Sequence, residues 1–140
     1  MRRTIFLPAF LLGLTTAAAA QAPAAAIKLA DVAGVWDAKS LVGPNDSVGV
    51  KSVLTATATD SGWTMTLAGR DPIAVRVVAM GGDSVVTEAG PYPSILRAGV
   101  TVTSLRTVAH YSGDQMTGMF WAEYASGDKA SGKVTATRRK

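Results

Sequence analysis

Gly34-Val35-Trp36-Asp37-Ala38-Lys39-Ser40 decides how the rest of the chain is read. Its period of two puts Trp36, Ala38 and Ser40 on one face and Val35, Asp37 and Lys39 on the other, a strand with its tryptophan inward and its charges in water. Just upstream, Leu29 to Ala33 suits a single helical turn that Gly34 ends. Downstream the alternation recurs. Val50, Ser52, Leu54 and Ala56 form a second strand, and Asp60-Ser61-Gly62 turns it into a third carrying Trp63, Met65 and Leu67. Ile73, Val75 and Val77 make a fourth, with Arg76 opposite, and Gly81-Gly82-Asp83 leads into a fifth from Ser84 to Ala89.

The longest connection, Gly90 to Gly99, contains two prolines that exclude it from a central strand position. A sixth strand follows from Val100 to Tyr111. Ser112-Gly113-Asp114 turns into a seventh, Met116 to Tyr124, and Ser126-Gly127-Asp128 into an eighth, Lys129 to Arg138. Eight short alternating strands joined by tight turns predict an all-β, up-and-down antiparallel barrel over residues 33–140.

Strand parity then sorts the connections. Those after even strands, at Asp60 to Gly62, Gly81 to Asp83 and Ser112 to Asp114, fall at the end where strand one begins, and all are tight. The opposite rim carries Val42 to Ser47, Gly69 to Pro72 and the long loop, so binding is expected there. Strand eight descends to the closed end, where Arg138 shares parity with Gly132, Val134 and Ala136 and is expected beside Trp36, its guanidinium over the indole. The alternative is a disordered basic terminus.

Met1-Arg2-Arg3, the apolar run Ile5 to Leu14 and the small residues Ala17 to Ala22 have the three regions of a secretory signal peptide and are too short for a membrane span. Cleavage after Ala20 is expected, because a cut after Ala22 would place Pro23 first. Arg2-Arg3 also meets a loose twin-arginine pattern, yet no cofactor motif calls for export of a folded protein, so general secretion is expected. The destination is periplasmic or secreted. Residues 21–32 then form a leader with its helical turn, and the 120 residues left of 140 after cleavage, leader included, suit one domain. With no cysteine, the chain has neither a lipoprotein anchor nor a disulfide.

The formal charge of +4 falls to +2 without Arg2 and Arg3, and the Arg138-Arg139-Lys140 tail leaves the body near neutral. Cations scattered singly among Asp and Glu lack the basic face of a nucleic-acid binder. One histidine, His110, and no cysteine leave most zinc, haem and iron–sulfur arrangements without ligands, and no nucleophile elbow accompanies His110 at the closed end. Most carboxylates sit in turns; Glu88 and Glu123 lie within strands and read as solvated. Asp71-Pro72 and Asn45-Asp46-Ser47 lack calcium-loop spacing. These features imply neither enzyme activity nor a cofactor.

Gly34-x-Trp36, the preceding helical turn and Arg138 on the last strand resemble the calycin superfamily of lipocalins, fatty-acid-binding proteins and avidins. The resemblance implies a barrel for a small apolar or amphipathic molecule, with Gly34, Trp36 and Arg138 structural. The signal peptide, the size and the segment Gln21 to Asp31 before Gly-x-Trp also resemble bacterial periplasmic metalloprotease inhibitors, though without their usual cysteine pair. On the first view, Tyr92, Ser94 and Arg97 on the long loop, with Arg70 beside it, receive an acidic head group while the apolar part enters beside Trp63 and Met65. Phe120 or Trp121 completes the lining. Small interior residues, Ala38, Ser40, Ser52, Ala56, Gly118, Gly132 and Ala136, leave room for a cavity. Arg106 shares a face with Val100, Val102, Ser104 and Val108 and points into the barrel if that face is inward; otherwise Leu105 is inward and Arg106 solvated. On the second view, the leader and rim loops contact a protease or another protein.

Overall fold

The computed structural model describes residues 26–140. The expected signal peptide, 1–20, and the first part of the leader, 21–25, lie outside the described residues. A four-residue helix, α1 (Leu29–Val32), precedes strands β1 (Gly34–Val42), β2 (Ser47–Ala56), β3 (Trp63–Leu67), β4 (Ile73–Gly81), β5 (Ser84–Ala89), β6 (Tyr92–Pro93), β7 (Thr101–Ser112), β8 (Gln115–Tyr124) and β9 (Lys129–Arg138). Neighbouring strands pair antiparallel from β1 to β5; β5 then pairs with β7, β7 with β8, β8 with β9 and β9 with β1. Eight strands therefore close a barrel.

The two-residue β6 is an addition to the expected pattern. Tyr92 and Pro93 pair with Val102 and Thr101 at the sheet margin, where a proline without an N–H is tolerated.

Trp36, Val32 and Trp63 are almost fully buried, and both tryptophans are satisfied in the same way. Each stands at or near the start of a strand and reaches back four residues: Trp36 Nε1 donates to the Val32 carbonyl at 2.8 Å and Trp63 Nε1 to that of Thr59 at 2.7 Å. A buried indole thus loses no hydrogen bond, and it ties the strand to the chain before it.

A bulge between Val102 and Ser104 settles the facing of β7. The extra residue, Thr103, inverts parity, so Val102 and Leu105 both face in although they are three apart. Arg106 consequently points outward, where it meets Glu88 at 3.0 Å. The possible inward arginine is thereby corrected, and Leu105 takes the interior position. Another bulge, between Val77 and Ala79, turns Val78 to solvent.

Gly118 and Gly132 have a different role from the one expected. A Cβ on Gly118 would overlap the Val108 carbonyl oxygen, and one on Gly132 would overlap that of Leu41 while meeting the Phe120 ring at 2.9 Å. These glycines permit close approach of neighbouring chain at tight points of the barrel wall rather than leaving space.

Candidate functional site

The closed end is a floor built from the first and last parts of the described chain. Ile27 N–H donates to the Gly82 carbonyl at 2.8 Å, laying the leader across the β4–β5 turn, and α1 packs Val32 into the core. Arg138 lies opposite Trp36 in the β1–β9 register, its guanidinium carbon 4.4 Å from the indole centroid. It donates to the carbonyls of Ala33 and, at 2.7 Å, Asp31, to the Tyr111 hydroxyl at 3.2 Å and to Asp114 at 3.1 Å. Gly34 has φ +139°, and a Cβ there would come within 3.0 Å of an Arg138 nitrogen. The first residue of β1 must therefore be glycine for the arginine to reach its carbonyls.

At the open end the loop after β6 folds over the mouth. Ser94 is buried: its N–H donates to the Val100 carbonyl at 2.8 Å and its Oγ accepts from the Arg97 N–H at 3.1 Å. Ser94 thus shapes the loop. Arg70 donates to the carbonyls of Pro93 and, at 3.2 Å, Ser94. Arg97 lies over the Tyr124 ring, 4.4 Å from its centroid, and pairs with Asp128 at 3.0 Å. Sequence reasoning brought Arg70, Tyr92, Ser94 and Arg97 together, and they are together, but both arginines are occupied in fastening the loop.

Beneath this loop lies a chamber of about 50 Å³, walled by residues including Met65, Leu105, Phe120 and Tyr124 and roofed by Ile95 and Leu96. Its polar groups come from Ser40, Ser52, Ser94 and Tyr92. Burial pushes the Tyr92 phenol up to about 12; neighbouring Tyr124 adds to the rise and Arg70 opposes it. A second cavity of about 60 Å³ lies deeper, bounded by Ala38, Leu54, Trp63 and Met116 among others. Trp63 and Met65, expected to line one pocket, therefore line different ones. Phe120 is the inward member of the Phe120–Trp121 pair, while Trp121 is 45% exposed on the outer wall.

His110, Glu88 and Glu123 line neither of these spaces. His110 Nδ1 is 3.1 Å from Asp83, on the exposed surface of the closed end, and this bond holds the Asp83 carboxyl below its ordinary value. Among the described residues no three His, Asp or Glu side chains gather as a metal site, and no helix is long and apolar enough to cross a membrane. Comparison with protein-family models, with curated proteins and with solved structures finds no match.

Proposed function

We propose that the protein is an exported, non-enzymatic binding barrel that takes a small apolar or amphipathic molecule into the chamber under the Tyr92–Gly99 loop. The observation that carries this reading is the roof: Ile95 and Leu96 cover an apolar chamber, while the loop is fastened by groups at or near the surface, Arg70 to its carbonyls and Arg97 to Asp128. The exposed Arg97–Asp128 pair contributes about 0–1 kcal/mol, and the Arg70 bonds to the loop carbonyls and the Arg97–Tyr124 stack add roughly 1–2 kcal/mol each, so the loop opens for a few kcal/mol without unfolding the barrel. Gly90 and Gly99, at φ +113° and +76°, bracket the moving segment in conformations that favour glycine.

Size decides how binding proceeds. A dry protein cavity of about 150 Å³ holds benzene, so a chamber of about 50 Å³ admits a ring or alkyl chain only when the roof lifts. With Arg70 and Arg97 committed and Arg106 outside, a neutral polar end is matched by the hydroxyls of Ser40, Ser52 and Tyr92 better than an anionic head is matched by any inward cation. This reading keeps the calycin resemblance with a smaller ligand.

The test is titration with N-phenyl-1-naphthylamine, whose emission rises in apolar surroundings, on the native chain and on Ser52→Leu, which fills the chamber. Saturable binding lost in Ser52→Leu supports the reading. Equal binding by both chains, with the variant folded by circular dichroism, rejects it.

A second reading, contact with a protease or other protein, is favoured by Ile95 and Leu96 themselves, 38% and 46% exposed at the rim. The segment from Ile27 is already held in the floor, so a leader-mediated contact would use residues before it. Inhibition of a metalloprotease that survives deletion of residues 21–25 but fails in Ile95→Ser/Leu96→Ser would assign the contact to the rim.

A further inference from the structure

Most cations on the barrel have a carboxylate or carbonyl partner. Arg97 meets Asp128, Arg106 meets Glu88, Lys129 meets Glu123, Lys133 meets Asp46 and Arg139 meets Asp37. Lys39 on β1 and Lys51 on β2 break the pattern. They stand directly opposite one another in the β1–β2 register, both exposed, and among the described residues neither has a carboxylate within ion-pair distance. Like charges facing each other across a strand pair destabilise it.

The two lysines also line a groove of about 620 Å³ on the outer wall of β1, β2 and β3. Val53, Thr66 and Ala68 line it beside them, as do Asp37, Arg70 and Asp71. Asp37 is taken by Arg139 and Arg70 by the loop carbonyls, so the open charge in the groove is that of Lys39 and Lys51 against one carboxylate, Asp71.

We propose that this groove is a binding site for a phosphate monoester group, held between the ammonium groups of Lys39 and Lys51. Two ammonium groups offer two charges and six N–H donors, which matches a dianion with three terminal oxygens and exceeds what a singly charged carboxylate uses. The ligand removes the repulsion that the free protein retains. The groove lies on the outer side of the wall that bounds the chamber, and Ser52 and Leu67 border both spaces.

Calorimetric titration with inorganic phosphate, with acetate as control, tests the charge match. Sedimentation with phosphatidylcholine vesicles containing or lacking phosphatidic acid distinguishes a soluble ester from a lipid headgroup. Lys51→Glu is the decisive variant, because it should raise Tm by roughly one to a few degrees by pairing with Lys39, while weakening phosphate or vesicle binding about tenfold or more. Lys39→Gln/Lys51→Gln should lose binding without a lowered Tm. Phosphate bound without vesicles identifies a soluble ester, and vesicles bound without free phosphate identify a lipid headgroup. Acetate binding as tightly as phosphate, binding unchanged in either variant, or no binding of phosphate or vesicles overturns the proposal.

Discussion

Replacing Arg138 by alanine removes the group on which the floor converges. Its side chain is only 21% exposed, so its contacts are partly shielded from water. The stacked indole contributes about 0.5–2 kcal/mol. The bonds from a charged donor to the carbonyls of Asp31 and Ala33 contribute about 1.5 kcal/mol each. Asp114, largely exposed, adds about 0–1 kcal/mol. One guanidinium makes all these contacts, so they do not sum fully, and a loss of about 3 kcal/mol is expected. Equilibrium urea unfolding followed by tryptophan emission reports it directly, because Trp36 lies under the guanidinium. Arg138→Lys keeps the charge without the planar fork and should recover only part of the loss. Arg139→Ala, which removes a surface contact to Asp37, should leave the midpoint nearly unchanged. Equal midpoints for Arg138→Ala and Arg139→Ala would refute the reasoning and leave the floor without its keystone.

Other consequences are as direct. Gly118→Ala places a methyl against the Val108 carbonyl and should cost about 2–3 kcal/mol or prevent folding, read as lost near-ultraviolet circular dichroism beside an intact Gly81→Ala control, where a methyl meets nothing within 4 Å. Tyr92 has its phenol raised to about 12 from 10, so the folded state holds that proton more tightly. Its stabilisation is complete below pH 10 and lost as pH rises through 12, and Tyr92→Phe should flatten that decline in a pH series of unfolding midpoints. If the roof is fastened as proposed, Asp128→Asn should speed N-phenyl-1-naphthylamine association in stopped flow with little change in overall stability; an unchanged association rate would put the gate elsewhere.

The barrel was legible because period two is a robust signal and turn glycines are local. Trp36 and Arg138 could be placed opposite each other by counting parity along regular strands. Counting failed on β7, where Thr103 is inserted without any mark in the sequence and apolar residues occur on both faces. At the open end the residues grouped from the sequence meet in the structure, but their bonding partners could not be read from the sequence. Arg97 pairs with Asp128, 31 residues on, and Arg70 with carbonyls 23 and 24 residues on, partners that only folding brings near. Gly118 and Gly132 read as space for the same reason: a missing side chain looks identical whether a cavity or a neighbouring backbone fills the place. The Lys39–Lys51 opposition was implicit in the β1–β2 register but gave no signal until most other cations on the barrel wall were seen to be paired.

The seam between β1 and β9 joins the earliest strand to the last, so the barrel has no shorter version of itself. A chain that stops before Lys129 keeps β1 and β8 with open ladders, Trp36 to Leu41 on one side and Gln115 to Glu123 on the other. Such edges recruit strands from other chains. Nascent or truncated forms therefore face a hazard that the closed barrel does not: until the ten residues of β9 are in place, self-association competes with closure, and the yield of folded protein depends on how dilute or how well shielded the unfinished chain is kept.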